Sequence, residues 1–298
     1  MSLHIEKLHP LLGAKCTGVD LAEPIDPETL KTIRAAWHQY GVLVFPDQPI
    51  TDEQQVAFSR HFGELEIFPQ ASNRSSQLPE IFRVTNVGED GQIRPVDSPN
   101  ARYSTLICVW HTDSSYRMVP SIGAVLHAVE VVRQGGDTLF ANMCAAWEHM
   151  PDELRTRVAN RMARHSFLYS RQQRNLPPMD PAEEARVPPV DHPLVRQHAD
   201  GRVSLYVSAT YMERIVGLDE GESRELIGQL MKWATQDRFV YRHRWKPHDV
   251  LMWDNRWLIH VVEPWDHGGE RRMMHRTTIA GTESVMPYPA GHFCPENQ

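Results

Sequence analysis

Short apolar runs closed by turn signals recur about every ten residues through the second half of the chain, and this rhythm restricts the fold more than any other feature. Residues 122–132 form one run, Gly135-Gly136-Asp137 closes it, and Thr138-Leu139-Phe140 begins the next. Ser204-Leu205-Tyr206-Val207, Phe239-Val240-Tyr241, Asp249-Val250-Leu251-Met252-Trp253 and Arg276-Thr277-Thr278-Ile279 continue the series. Strands this short and evenly spaced close into a sandwich or barrel, not a parallel sheet. The expected fold is therefore mainly β with flanking helices. Val42-Leu43-Val44-Phe45 is a further strand, and Thr51-Asp52-Glu53-Gln54 opens a capped helix running to about Phe62. Residues 145–162 read as helix with a restart at Pro151, and residues 222–234 as an amphipathic helix with Leu226, Leu230 and Trp233 on one face. Residues 63–103 read as irregular apart from Ile81-Phe82-Arg83-Val84. The six prolines of residues 170–193 predict an exposed loop long enough to be a lid. No repeat or linker divides the sequence, so residues 1–298 are expected to form a single domain.

Composition removes several classes of function. With 41% hydrophobic and 23% charged residues, no apolar run approaches the roughly 20 residues that a membrane span needs. The start, Met1-Ser2-Leu3-His4-Ile5-Glu6-Lys7, has neither a basic cluster nor an apolar core, which argues against a secretory signal and for the cytoplasm. A formal charge of -7 without any block of lysines or arginines argues against nucleic acid, because phosphate binding needs a concentrated basic stripe. Cys16, Cys108, Cys144 and Cys294 lack a Cys-x-x-Cys spacing and read as small buried hydrophobes. The expected partner is a small molecule.

Two His-x-Asp triplets compete as metal ligands. His198-Ala199-Asp200-Gly201 ends in Asp-Gly between strand-like segments, so Asp200 reads as a hairpin turn residue. His111-Thr112-Asp113 instead follows the apolar run Leu106-Ile107-Cys108-Val109-Trp110, where a strand end would hold ligands stiffly beside an open face. A third ligand on a later strand strengthens the reading, since two histidines and one carboxylate on one octahedral face leave three positions for substrate and dioxygen. His260 is the best candidate. The basic cluster Arg271-Arg272-Met273-Met274-His275-Arg276 follows it, and guanidinium grips a carboxylate with paired hydrogen bonds. One of Arg271 and Arg272 is expected to be solvated surface.

These residues bring the chain into view as one that resembles the Fe(II)/2-oxoglutarate-dependent dioxygenases of the taurine dioxygenase and 2,4-dichlorophenoxyacetate dioxygenase family. The resemblance runs through "GVDL" at 18–21, "VLVF" at 42–45, "FSRHFGELE" at 58–66, "WHTDSSY" at 110–116, "GGDTLFANM" at 135–143, "FVYRHRW" at 239–245 and "MWDNR" at 252–256. The last two look closest to the phenoxyacetate branch. The resemblance implies a double-stranded β-helix, the cupin-like jelly roll, with Fe(II), 2-oxoglutarate and O2 as its reagents. It implies iron ligands at His111, Asp113 and His260, with Thr138 holding the 2-oxoglutarate carboxylate and Arg276 clamping its far end. Arg272 matches a second arginine serving a carboxylate of either co-substrate or substrate. Phe68, Ser115, His198 and Arg272 are the expected substrate contacts, and no catalytic side chain beyond the metal ligands is implied.

The departures from the pattern narrow the substrate. One extra residue lies between His260 and Arg276, absorbed by Gly268-Gly269, so assigning the clamp to Arg276 rests on the context Met274-His275-Arg276. Phe68 stands where taurine-specific members carry a histidine, which argues for an aromatic or aliphatic substrate body. Asp113 is intact, which argues against halogenation. The implied reaction hydroxylates a small carboxylate, plausibly an aryloxyalkanoate whose hemiacetal collapses to a phenol and glyoxylate, and releases succinate and CO2. A homo-oligomer is expected. The alternatives are a dioxygenase for an alkylsulfonate or another carboxylate, and a catalytically silent small-molecule-binding protein.

Overall fold

The computed structural model describes residues 3–68, 74–98 and 105–289, so part of the expected irregular region and Cys294 lie outside the described residues. The largest sheet runs in the order β1 (His4–Lys7), β2 (Ala14–Thr17), β3 (Val42–Phe45), β13 (Val250–Asp254), β5 (Gly123–Glu130), β15 (Met273–Ile279) and β4 (Phe82–Thr85). Every residue of β13 is buried. That is what a continuous apolar strand in mid-sheet, covered on both faces, requires. A second sheet orders β12 (Val240–His243), β6 (Thr138–Asn142) and β14 (Leu258–Val262).

The two sheets pack face to face. Leu126, Leu251 and Trp253 of the first meet Phe140 and Leu258 of the second in one buried cluster, so the strand rhythm resolves into the expected double-stranded β-helix. On the outer side of the large sheet, α1 (Pro27–Tyr40) and α2 (Asp52–Arg60) lay Ile33, Trp37 and Phe58 against Phe45, Val125 and Met252. Asp26 caps α1, and Thr51 with Gln54 closes a reciprocal capping box on α2, which satisfies backbone donors that a helix start otherwise leaves free. On the other side, α3 (Met143–Glu148) and α7 (Glu220–Ala234) cover the small sheet. Leu226 and Leu230 pack there on Ala141 and Ile259, each worth roughly 2 kcal/mol of burial. Trp233 is only half-buried and donates its indole N–H to Ala146 O instead.

Three expectations change. The helix over 145–162 does restart at Pro151, as α3 followed by α4 (Asp152–Val158), but it ends sooner than expected, and Met162 already belongs to β7 (Met162–His165). Pro151 forces the break because it has no N–H to continue the ladder. The 170–193 segment is not a bare loop: α5 (Phe167–Gln172), α6 (Pro181–Glu184) and β8 (Val190–Pro193) lie in or across it. Its ends are anchored by buried Ser170, Val187 and His192 while its middle is largely exposed. Lastly, the apolar run before His111 is no strand. Thr105–Cys108 is a 3-10 turn, closed by Val109 N–H donating to Leu106 O. Elsewhere His198-Ala199-Asp200-Gly201 does form the expected turn, between β9 (Val195–Gln197) and β10 (Val203–Leu205), with Gly201 at φ 87°. The remaining strand, β11 (Met212–Ile215), pairs with β7. Among the described residues no helix is long and apolar enough to cross a membrane.

Candidate active site

His260 lies in the middle of β14, on the face turned towards the large sheet, with its ring 5.0 Å from Trp253 and stacked at 5.8 Å on Phe140. His111 is tied to it by a reciprocal backbone bridge: His111 N–H donates to His260 O at 2.9 Å, and His260 N–H donates to His111 O at 2.7 Å. One ligand atom from each of His111, Asp113 and His260 falls within 4.8 Å of the others, and all three side chains are buried. His111 Nδ1 sits 2.8 Å from Val109 O, a partner that fixes the tautomer and leaves Nε2 for a metal. His260 Nδ1 has no partner among the described residues.

Burial drives both imidazoles below their usual range, and for His260 the neighbouring His111 adds to it. Burial opposes ionisation of Asp113, but Arg276, His260 and His111 together hold its carboxyl below the ordinary value. Two neutral nitrogens and one carboxylate are the protonation states that a divalent ion needs.

The turn carrying Asp113 is braced from three sides. Ser114 takes φ 56°, a left-handed conformation costly for a residue with a Cβ, and its hydroxyl donates to Glu66 Oε2 at 2.8 Å. Ser115 Oγ lies 3.0 Å from His165 Nδ1. Thr112 Oγ1 donates to Asn255 O at 2.8 Å, while the Asn255 amide accepts from Trp253 Nε1 at 2.9 Å and donates to Ser121 Oγ at 3.1 Å.

The two arginines occupy different places. Arg276 Nη1 donates to Asp113 Oδ1 at 2.7 Å, and its guanidinium lies 4.8 Å over the Phe82 ring. Arg276 thus stands at the candidate metal ligands themselves. Arg272 is 2% exposed, packs 4.9 Å over Trp265 and donates from Nη2 to Gly136 O at 3.3 Å. Its Nη1 has no hydrogen-bond partner among the described residues. Gly136, at φ 69°, permits this approach: a Cβ there would meet Val132 Cγ2 at 2.8 Å and Arg272 Nε at 3.3 Å. Arg272 and Trp245 line one small cavity, and Trp245 Nε1 donates to Thr138 Oγ1 at 2.9 Å. Thr138 pairs with Val262, two positions from the Phe140 and His260 pair, so it lies on the same face about 7 Å farther along. Arg271, four-tenths exposed and paired with Glu130, is the solvated member of its pair.

Other expected contacts are distributed less simply. Phe68 joins an aromatic cluster with Phe82, Tyr116, Phe167 and Tyr211, its ring 4.4 Å from Phe82 and 6.2 Å from Phe167. Ser115, fully buried, is taken up by His165. His198 holds Ser204 Oγ at 2.9 Å on its own hairpin. Burial, Arg196 and Arg202 push His198 down to about 4, and no triad residue is among the charges acting on it. Sequence reasoning did not single out Glu66, Trp245 or Asn255, each of which sits inside a quoted block but becomes functional only through contacts distant in the chain.

A double-stranded β-helix bearing two buried histidines and a carboxylate, with a buried guanidinium farther along the same interior, is the framework of an iron(II)- and 2-oxoglutarate-dependent dioxygenase, and this chain is one. It belongs to the taurine catabolism dioxygenase TauD, TfdA family, whose model matches residues 4–278. It is 36% identical over 248 residues to the alpha-ketoglutarate-dependent 2,4-dichlorophenoxyacetate dioxygenase of Cupriavidus pinatubonensis, covering 82% of this chain and 86% of that protein. It is 38% identical over 251 residues to the (S)-phenoxypropionate/alpha-ketoglutarate-dioxygenase of Sphingobium herbicidovorans, covering 80% and 82%. The crystal structure of AAD-2 in complex with Mn(II) and N-oxalylglycine superposes with a TM-score of 0.87 at 36% identity, over 97% of this chain and 100% of that one.

Proposed function

We propose that the chain hydroxylates an aryloxyalkanoate beside the ether oxygen, with His111, Asp113 and His260 holding the iron. The donor set fits the ion, as the two neutral imidazoles and the ionised carboxylate require. When bound, iron with 2-oxoglutarate and O2 supplies the oxidising power that places one oxygen atom in a substrate C–H bond, giving succinate and CO2. Everything else is positioning by the chain.

In this reading the arginine roles are the reverse of those the resemblance implies. A clamp for the far end of a five-carbon diacid must stand a molecule's length from the metal. Arg276 touches Asp113 and is too near, whereas Arg272 has an unsatisfied buried Nη1 and shares a cavity with Trp245, the hydrogen-bond donor to Thr138. Arg272 and Thr138 therefore hold the distal carboxylate of 2-oxoglutarate. Arg276 holds the carboxylate of the substrate, which it grips with paired hydrogen bonds as Asp113 turns to the metal. The rings of Phe82, Phe68 and Phe167 then form the apolar wall for the aryl body. The observation that carries this assignment is Arg276 itself, a buried cation lying between a metal ligand and an aromatic cluster.

With an aryloxyacetate, the product is a hemiacetal. Its O–H proton is lost, the carbonyl of glyoxylate forms, and the aryl C–O pair leaves to be protonated as the phenol. No side chain is required for that collapse.

The test is a substrate screen with 2,4-dichlorophenoxyacetate, both enantiomers of 2-phenoxypropionate, and taurine, following succinate, phenol and sulfite. Phenol and succinate in equal amounts are the expected result, and Phe68→Ala raises KM for the aryl substrates. Sulfite release from taurine with no phenol from any aryl substrate overturns the reading in favour of a sulfonate dioxygenase. Absence of succinate under every condition favours a silent binding protein. The same reading places the protein in the cytoplasm as a homo-oligomer, for which sedimentation equilibrium is the direct measurement.

A further inference from the structure

We propose that Trp245 is a positioning residue that fixes the Thr138 hydroxyl as a donor, making the co-substrate subsite accept a carboxylate and refuse a neutral amide. The proposal rests on the reading that Thr138 and Arg272 hold the far carboxylate. An indole N–H can only donate, so at 2.9 Å from Trp245 Nε1 the Thr138 oxygen must be the acceptor. A hydroxyl has a single proton. With that lone pair engaged, the proton turns away from Trp245, and it finds no acceptor among the described residues.

The indole is itself held in place. The His243 ring packs edge-on to Trp245 at 4.7 Å, and His243 pairs directly across the sheet from Thr138. His243 Nε2 lies 3.1 Å from Asp249 Oδ2, its Nδ1 lies 3.3 Å from the Tyr241 hydroxyl, and Asp249 Oδ2 also accepts from Lys246 N at 2.9 Å. Trp245 and Arg272 share the lining of one cavity, where Arg272 Nη1 is unsatisfied.

The subsite so formed offers the Thr138 O–H and an Arg272 guanidinium N–H, while the Asp137 carboxylate on the same cavity wall is engaged by Arg242 at 3.3 Å. A carboxylate, which only accepts, satisfies both. A carboxamide turns an NH2 towards one donor or the other and leaves buried polar atoms unmatched, which is the mismatch that discriminates most strongly between near-isosteres. Replacing Trp245 by Phe keeps an aromatic ring and removes the N–H, so the Thr138 hydroxyl regains the freedom to rotate and accept.

The experiment is calorimetric binding to the Mn(II)-loaded protein under anaerobic conditions, with N-oxalylglycine and its terminal amide N-oxalylglycinamide as probes. Wild type, Trp245→Phe, Thr138→Val and the double variant are compared, each checked for an unchanged melting profile. Trp245→Phe is expected to weaken N-oxalylglycine about 5-fold, as expected for one hydrogen bond, and to narrow the preference for acid over amide. In the Thr138→Val background it is expected to add nothing further. Equal, additive losses from Trp245→Phe in both backgrounds, or an unchanged acid-to-amide ratio, overturn the proposal while sparing the subsite. Unchanged N-oxalylglycine affinity in both Thr138→Val and Arg272→Met overturns the underlying assignment instead.

Discussion

Replacing Arg272 by Met should make the protein more stable and simultaneously blind to 2-oxoglutarate. Burial pushes the Arg272 guanidinium down to about 10. At about 1.4 kcal/mol per pKa unit, this represents about 3 kcal/mol held against the charged form. The group remains protonated at neutral pH, so the folded protein carries that penalty. Methionine fills much of the same space without it, but loses the long hydrogen bond to Gly136 O, worth about 1 kcal/mol. It also loses the cation over Trp265, worth about another 1 kcal/mol. The net expectation is a gain of about 1 kcal/mol, or a rise of roughly 3 °C in melting temperature for a chain of this size. Wild type should gain about 2.7 kcal/mol when 2-oxoglutarate is raised to about 100 times its Kd, and the variant should gain nothing. Differential scanning fluorimetry of both proteins in anaerobic Mn(II) buffer, with and without 2-oxoglutarate, reads all four states. A variant that melts below wild type without co-substrate, yet keeps the co-substrate shift, would refute the reasoning.

His111→Ala, Asp113→Ala and His260→Ala are each expected to abolish stoichiometric metal binding, measured by equilibrium dialysis, while circular dichroism keeps the wild-type sheet signal, because the facial set cannot spare a ligand. Arg276→Lys should raise KM for an aryloxyalkanoate at least 10-fold and leave the 2-oxoglutarate requirement within about twofold, since an ammonium cannot reproduce the paired bonds of guanidinium. A strong rise in the 2-oxoglutarate KM instead would return the clamp to Arg276. Burial, with His275 and His248, pushes His127 down to about 4. The unfolded chain therefore takes up a proton below about 6.5 that the folded ring refuses, and stability should fall as pH drops from about 6.5 towards 4. Urea melts across that range should show a shallower pH dependence for His127→Gln than for wild type.

What could be read from the sequence was whatever depends on local pattern. Short apolar runs closed by turn signals placed β6, β13 and β15, the Asp-Gly pair placed the β9 to β10 hairpin, and Thr51 with Gln54 announced α2. The grouping of His111, Asp113 and His260 was also legible, since spacing and quoted blocks converge on the three side chains that the fold brings within 4.8 Å of one another. The run before His111 was misleading because a stretch of apolar residues is equally at home in a tight turn, and only the bridge to His260 decides its path. The aromatic cluster was not legible, since Phe68, Phe82, Tyr116, Phe167 and Tyr211 come from distant segments. The arginine roles were obscured for a related reason. Spacing from His260 is blurred by one inserted residue, whereas in space Arg276 meets Asp113 and Arg272 meets Gly136.

The reciprocal backbone bridge between His111 and His260 also bears on the order of events during synthesis. The two histidines are separated by 148 intervening positions, and the arginines at 272 and 276 follow later still. A nascent chain that has exposed His111 and Asp113 lacks the strand that would draw them together. Because His260 rides on β14, the edge strand of its sheet, the three side chains meet only once β14 has paired with β6.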